Sequence, residues 1–321
     1  QLPRRVSARR LRAPSPRAVS AQMWRDDRAV ATTEGDIAEV LEAETLVDMQ
    51  KLRELSTHGI PNNLRAEAWK YLLGVARPEK DEEMSLHRQN IEEYRELEEA
   101  WQVDAQSELT RKIKAELKRH RPELPFFRDA RTRQRLERLL RAFLHGSAAV
   151  EFRPGLVHLL GPLVHVYAKN EEVEAFFCFQ ELMGRLLREK LLTFEGCKRT
   201  SVTFMTLFRH TLPDLYFFFE EAQCAGGLWL SSWLQFLLAR ELPLPCVLRL
   251  WDTYFSRGVG APLQELHVYV CLAILEACAE EIMELDETEV LWYLNHLPDL
   301  DMGSVVMQAF NLKDDLQQKL L

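Results

Sequence analysis

The stretch that decides the fold is Trp233–Gly258, WLQFLLARELPLPCVLRLWDTYFSRG. It predicts two apolar helices, over residues 233–240 and 246–255, joined by the link Leu-Pro-Leu-Pro at 242–245. Proline fixes φ and has no backbone N–H, so we expect neither Pro243 nor Pro245 to lie inside a helix. Trp251 and Asp252 close the second apolar stripe. A carboxylate buried there needs a partner, and we predict that Asp252 is buried against a basic residue.

The same helical periodicity continues outward from this stretch. Apolar residues recur at spacings of three and four in segments placed every 15–25 residues between 135 and 296. Strand-like alternation is missing, and 13 Gly and 14 Pro are few for a protein with many turns. We therefore predict an all-α fold, one irregular stack of helices with no β-sheet.

Two helix starts can be assigned from local signals. Asn63 follows Pro61 at the head of an apolar segment and is the predicted N-cap of a helix that runs to about Leu73. Asp286 stands three residues before Glu289, the spacing of a capping box.

Composition limits the class of protein. An apolar fraction of 47% and a charged fraction of 28% are ordinary for a soluble protein, and the net charge of −8 argues against general nucleic-acid binding. The six cysteines form no CxxC pair, which predicts buried free thiols in a reducing compartment. No apolar run reaches the roughly 18 residues that a membrane span needs. We expect a cytoplasmic protein.

Four segments carry a resemblance to a known family. GIPNNLRAEAWKYLLG (59–74), LPDLYFFFEE (212–221), the deciding stretch (233–258) and LAILEACAEEIMELDETEVLWYLNHLP (272–298) resemble, in this order, the TBC domain. That family comprises all-helical GTPase-activating proteins for Rab-type small GTPases. The resemblance runs from about Leu52 to about Leu300. We predict a TBC domain over 36–312, flanked by a basic, disordered N-terminal segment (1–35), in which a leader is one interpretation, and by a C-terminal tail (313–321). The resemblance also implies a Rab in its GTP form as partner, and no cofactor of the chain's own, because GTP and magnesium belong to the partner. Any membrane contact would be made through that partner.

The family motif also implies which residue acts on the GTP. TBC proteins carry Ile-x-x-Asp-x-x-Arg, then Thr-x-Pro and an aromatic residue; this chain has Ile113 and Arg119 in register, with Pro122 and Phe127 following. Glu116 replaces the aspartate and His120 the threonine. Arg119 is thereby expected to be the arginine supplied to the partner's active site, with Glu116 holding the arginine or its loop. The alternative is a solvated surface charge, since residues 111–141 hold twelve Lys or Arg against four acids. That basic run either faces an acidic GTPase or is the polar side of a helix.

A second family motif is altered. The usual Tyr-x-Gln-Gly-Met, whose glutamine orients the attacking water, is replaced here by Phe152-Arg153-Pro154-Gly155-Leu156. Proline has no side-chain amide, so it cannot orient water. Either the partner supplies its own glutamine while Arg119 accelerates hydrolysis, or the domain binds a GTPase without much activation. Arg153 is a further candidate for reaching the nucleotide.

The remaining matching residues are expected to frame the domain and its partner-binding surface: Arg65, Trp69, Trp251 and Asp252. Three functions compete: a Rab activator, a catalytically weak GTPase-binding scaffold, and a helical scaffold unrelated to GTPases. The chain lacks the P-loop, HExxH and GxSxG motifs. His158 and His165 are expected to be core or surface residues and not ligands, with helical structure interrupted between them at Gly161-Pro162.

Residues 1–22 differ from the rest in having six arginines and no acid. Three interpretations stay open: a disordered tail, a translated leader upstream of a start at Met23, or an organellar transit peptide.

Overall fold

The computed structural model describes residues 34–101, 108–147, 150–168, 171–224 and 227–320. Within these ranges the chain is helical and contains no strand, only one isolated antiparallel bridge between Leu46 and Glu79. The all-α prediction is confirmed. Residues 1–33 lie outside the described ranges, and with them the three interpretations of residues 1–22. No helix in the described part is long and apolar enough to cross a membrane.

Helices are numbered along the chain. Helix α1 includes residues 34–41. The others are α2 (Met49–Ser56), α3 (Asn62–Leu73), α4 (Lys80–Trp101), α5 (Glu108–Arg119), α6 (Pro125–Arg128), α7 (Ala130–Gly146), α8 (Gly155–Val166), α9 (Glu172–Arg188), α10 (Phe194–Thr211), α11 (Pro213–Glu221), α12 (Leu228–Phe236), α13 (Leu244–Ser256), α14 (Leu263–Ala277), α15 (Ala279–Ile282), α16 (Glu287–Asn295) and α17 (Met302–Leu320).

The deciding stretch forms two helices, but their bounds differ from the prediction. Helix α12 ends at Phe236 and not at residue 240, because Leu237 (φ 50°) and Leu238 (φ 60°) adopt left-handed backbone conformations. Helix α13 begins at Leu244, so Pro245 lies inside its first turn. A proline is tolerated there because the first N–H groups of a helix have no partner within it.

Of the two predicted helix starts, one is confirmed and one is wrong. Asp286 accepts from the Glu289 N–H at 2.9 Å, and the Glu289 carboxylate accepts from the Asp286 N–H at 3.0 Å, which completes the capping box. Asn63 is not an N-cap: α3 already begins at Asn62, after Pro61. The side chain of Asn63 instead donates to Glu34 at 2.8 Å.

The predicted interruption at Gly161-Pro162 is also wrong, since α8 runs through both residues. An internal proline costs a helix about 3 kcal/mol. Nine of the twelve residues of α8 are buried, and this packing offsets the cost. Gly161 is needed for a close approach: a Cβ there would lie 2.5 Å from Nε2 of His120.

A buried ion pair joins the first and third segments of the family resemblance. Asp252 on α13 is fully buried and accepts from Arg65 Nε at 3.0 Å, from Trp69 Nε1 at 2.8 Å and from the Ile60 N–H at 2.9 Å. Burial raises the pKa of the Asp252 carboxyl, and the Arg65 guanidinium offsets part of that rise. The prediction of a basic partner for buried Asp252 is confirmed.

The remainder of the core follows the apolar stripes. The six cysteines are free and buried, as predicted. Helix α17 packs along α14 and continues beyond residue 312: Lys313 pairs with Glu265 at 2.8 Å, and Leu316 is buried.

Candidate functional site

Arg119 is the last residue of α5 and points into solvent. The helix cannot continue because Arg121 has a positive φ of 41° and is followed by Pro122. The Arg119 side chain is 72% exposed, while its partner Glu116, 2.7 Å away, is only 13% exposed. The ion pair therefore tethers one nitrogen of the guanidinium and leaves most of the group accessible.

The side chain of Arg121 holds the backbone that follows Arg119 in place. This buried side chain donates to the carbonyl oxygens of Ala239 at 2.6 Å and Leu242 at 2.8 Å. Burial lowers the pKa of the Arg121 guanidinium. Because both acceptors lie in the link between α12 and α13, the end of α5 is held against the deciding stretch.

His120 provides the second anchor. Its ring is 1% exposed and packs edge-to-face on His158 and on Phe127, with ring centroids 4.7 and 4.6 Å apart. Neither ring nitrogen has a hydrogen-bond partner among the described residues. Desolvation lowers the pKa of His120 to about 2 and that of His158 to about 3. Both rings are neutral at physiological pH and act as packing groups, as expected for His158.

An open groove of about 880 Å³ lies beside Arg119. One wall is the turn after α5, the second is the link between α12 and α13, and the third is the end of α16. One further cation, Arg240, and one aromatic residue, Trp292, also line the groove, and both are exposed. The Trp292 indole is 64% exposed and stacks on His296 with ring centroids 4.7 Å apart. An exposed arginine at the mouth of such a groove can contact an anionic group of another molecule.

The altered motif lies at the start of α8. Pro154 precedes the helix, is exposed and makes no side-chain cap. Gly155 is buried, and a Cβ there would lie 2.0 Å from Cζ of Phe236, so the glycine allows this ring to pack closely. Phe152 is half-buried against the core, and Arg153 donates to the Leu192 carbonyl at 2.6 Å. The start of α8 is joined to the Arg119 groove through His158, which lies one turn along α8 and lines the groove.

The predicted site residues thus fall into three groups. Arg119 and Glu116 form one pair, the segment 152–155 lies at the head of α8, and four framing residues form the buried cluster of Arg65, Trp69, Trp251 and Asp252. In that cluster Trp69 packs on Trp251 with ring centroids 6.3 Å apart. The cluster stabilises the core and does not line the Arg119 groove, although Arg65 borders a neighbouring cavity of about 580 Å³.

Sequence reasoning missed the residues opposite Arg119. Arg240 interrupts an apolar run and Trp292 lies in an ordinary helical stripe, so only Arg240 gave a local signal, a charge between apolar residues. No group of three or more His, Cys, Asp or Glu in the described part of the chain is placed to hold a metal ion.

Comparison with known proteins identifies the family. The model of the Rab-GTPase-TBC domain matches residues 62–283. The chain belongs to this family. The resemblance stated from the sequence is therefore correct, and the match includes the end of α5, the start of α8 and the deciding stretch.

Relatives and solved structures agree with this assignment. The GTPase-activating protein gyp1 of Schizosaccharomyces pombe is 24% identical over 290 residues, covering 81% of this chain and 56% of that protein. Human TBC1 domain family member 22B is 23% identical over 297 residues, with 83% and 58% covered. The chain thus spans less than two thirds of the length of these TBC relatives.

The fold matches a solved Rab-GAP domain. The crystal structure of the Ypt/Rab-GAP domain of Gyp1p superposes with a TM-score of 0.81 at 22% identity, covering 89% of this chain and 99% of the other. A Chlamydomonas flagellar RabGAP TBC domain superposes with a TM-score of 0.63 at 20% identity, with 81% and 84% covered. These likenesses show a shared all-helical TBC fold.

Proposed function

We propose that this chain accelerates GTP hydrolysis on a Rab-type small GTPase, with Arg119 as the arginine supplied in trans. The family membership and the relative described as a GTPase-activating protein support the activity. The observation that carries the role of Arg119 is its placement: an exposed guanidinium beside a groove, at the end of a helix whose next two residues are buried anchors.

The chemistry that Arg119 would supply is electrostatic. Charge builds up on the transferred phosphoryl group, and an arginine supplied in trans accelerates the reaction about 10³–10⁵-fold, which is about 4–7 kcal/mol. A guanidinium stays charged and can donate to two phosphate oxygens at once. In this proposal Glu116 keeps Arg119 extended before the partner binds, and the buried His120 and Arg121 limit the conformational entropy lost on binding.

The nucleotide and its magnesium belong to the partner in this proposal. The chain's own contribution is the arginine and a surface shaped for the GTP-bound partner. Contact with an endomembrane would be made through that partner. We propose that the GTPase-binding surface lies within residues 36–312, while helix α17 continues the packed domain past residue 312.

The test is single-turnover hydrolysis across a panel of purified, GTP-loaded Rab proteins with the chain in excess. Arg119→Ala should abolish the acceleration, by about 10³-fold or more for the matching Rab. Arg111→Ala is the matched control, because Arg111 is also exposed on α5 and its loss changes the net charge equally. Acceleration that survives Arg119→Ala would remove the role assigned to this residue.

A second function, a GTPase-binding scaffold with little activation, is favoured by Pro154. This residue occupies the position of the family's water-orienting glutamine, and it is exposed without any side-chain hydrogen-bonding group. In the same assay, tight binding of a GTP-loaded Rab with no change in its hydrolysis rate would support the scaffold and contradict the activator.

A further inference from the structure

A second groove, which we call the α10–α12 groove, lies between the exposed face of α10 and the start of α12. Its volume is about 750 Å³. Helix α10 contributes residues spaced by three and four positions, including Ser201 and Met205, and Tyr216 of α11 closes one end. Apart from Tyr216 and Gln235, the residues that line it lie outside the four segments that carry the family resemblance.

Large apolar side chains stand exposed along this groove. Phe194 is 81% exposed, Leu228 89% and Val202 60%, and all three line it. Single exposed apolar residues are common, but several that border one groove mark a binding surface for another protein. Burying such side chains against a partner is favourable because it removes apolar surface from water.

The charges around the α10–α12 groove point to the chemistry of the partner. Its lining includes two cations, Lys198 and Arg209, and no Asp or Glu. Arg209 lies over the Tyr216 ring, 5.8 Å from its centroid, which leaves its charge beside the groove. In a chain of net charge −8, this local excess of positive charge favours an acidic partner surface with apolar side chains at its centre.

The groove is continuous with the altered motif at the start of α8. Arg153 donates to the carbonyl of Leu192, two residues before Phe194. On the other side, the ring of Phe236 contacts Gly155, and the adjacent Gln235 lines the groove. A partner that covers Pro154 can therefore contact the α10–α12 groove at the same time.

We propose that the α10–α12 groove is a second contact surface for the same GTPase that Arg119 serves, and that it takes apolar side chains of the GTPase flanked by acidic ones. This inference rests on the proposed function. The continuity with Pro154 favours the GTPase over a second copy of the chain, because one partner can cover both surfaces at once. The groove would then contribute affinity and selectivity among GTPases, and Arg119 would contribute the rate.

The test uses the double variant Phe194→Ser/Leu228→Ser in the full chain. Both side chains are exposed, so the fold should be kept, which thermal unfolding checks. The assay uses a GTP-loaded Rab that the wild type activates. The concentration of the double variant that gives half-maximal rate should be at least about 10-fold higher than that of the wild type, and the maximal rate should be unchanged. This result is expected when a contact is lost that stabilises the ground state and the transition state equally. Met283→Ser/Met307→Ser is the matched control, since these methionines are 42% and 66% exposed and line neither groove.

Equilibrium binding of the GTP-loaded Rab panel separates this inference from the proposed function. If the wild type binds a Rab without accelerating hydrolysis, the activator proposal fails, and weaker binding by the groove variant still supports the second contact surface. Unchanged half-maximal concentration and unchanged binding in the groove variant would overturn the inference and leave the role of Arg119 standing. Loss of self-association by the groove variant in sedimentation, with GTPase affinity unchanged, would overturn it in favour of a second copy. Absence of any Rab binding by the wild type would overturn both.

Discussion

At the scale of single residues, exposure separates Arg119 from its neighbours. Arg121 is buried and holds the carbonyls of Ala239 and Leu242, so the preference for Arg119 over Arg121 in the family register agrees with their different surroundings. Arg153 donates through one nitrogen to the Leu192 carbonyl and does not line the groove beside Arg119. Only Arg119 of these three combines exposure with the open groove.

Pro154 stands where the family carries its water-orienting glutamine. We expect Pro154→Gln to raise the maximal single-turnover rate at least about 10-fold, which is about 1.4 kcal/mol, because it restores an amide able to orient the attacking water. Pro154→Ala is the control, as it removes the ring without adding an amide. Equal rates for the two variants would show that the missing amide does not limit hydrolysis.

Assays with an altered Rab show whether the Rab or the chain supplies the water-orienting group. With a Rab whose own active-site glutamine is replaced by alanine, the wild-type chain should lose most of its acceleration, and Pro154→Gln should recover part of it. A wild-type chain that accelerates this Rab undiminished would contradict a partner-supplied glutamine.

At the scale of elements, three contacts fix where the end of α5 and the start of α8 lie: Arg121 on the link after α12, His120 on α8, and Phe236 of α12 on Gly155. These contacts make the site depend on packing and not only on its exposed side chains.

The contact between α8 and α12 gives one element-scale prediction. Gly155→Ala would place a Cβ 2.0 Å from Cζ of Phe236, so the Phe236 ring or the helix that carries it must shift. We expect the free energy of unfolding to fall by about 1–3 kcal/mol and the hydrolysis rate to fall with it. Phe236→Leu in the same chain should recover much of both, measured by urea unfolding and single-turnover assays. Failure of the second change to recover either would show that the glycine matters for another reason.

The buried histidines between α5 and α8 give a pH dependence. The pKa of His120 is lowered to about 2 in the folded chain, so below about pH 6.5 the unfolded chain binds a proton that the folded chain does not. Stability contributed by the neutral ring is therefore lost as pH falls from about 6.5, by up to about 1.4 kcal/mol per pH unit. Buried Glu241, whose pKa is raised to about 7, acts in the opposite direction between about pH 7 and 4.5.

Comparison of variants isolates the histidine contribution. The free energy of unfolding of His120→Leu, measured in urea between pH 6 and pH 4, should fall less steeply with decreasing pH than that of the wild type. His145→Leu controls for loss of an exposed imidazole. Equal slopes for His120→Leu and the wild type would contradict the description of His120 as a neutral ring held in the core.

At the scale of the whole molecule, the net charge of −8 hides a local basic surface. Lys118 and Arg128 are exposed on α5 and α6, two helices that both pack on α7. Charges of this kind raise the rate of encounter with an acidic partner, and salt screens them. We expect Lys118→Gln/Arg128→Gln to lower kcat/KM and its salt dependence without changing kcat. Arg88→Gln/Arg95→Gln on α4 removes the same charge elsewhere and should have little effect. A similar loss of kcat/KM in both double variants would indicate that the basic run over residues 111–141 is only the polar side of a helix.

The sequence predicts the helices and the register of Arg119 because both depend on local signals, spacing and motif. The capping box at Asp286 is local in the same way and is correct. The end of α12 could not be predicted from local signals. Tertiary packing sets the left-handed backbone conformations of Leu237 and Leu238, against the preference of leucine. The groove walls Arg240 and Trp292 lie more than 100 residues from Arg119 along the chain, and only the folded structure brings them together.

The central claim, that Arg119 acts on the charge of the transition state, is tested most directly by affinity for two states of the partner. The binding of the matching Rab would be measured with a non-hydrolysable GTP analogue and with GDP plus aluminium fluoride, which mimics the transferred phosphoryl group. We predict that the wild type binds the fluoride complex far more tightly than the analogue complex, and that Arg119→Ala loses this preference while keeping its affinity for the analogue complex. An Arg119→Ala variant that keeps the preference would contradict the claim.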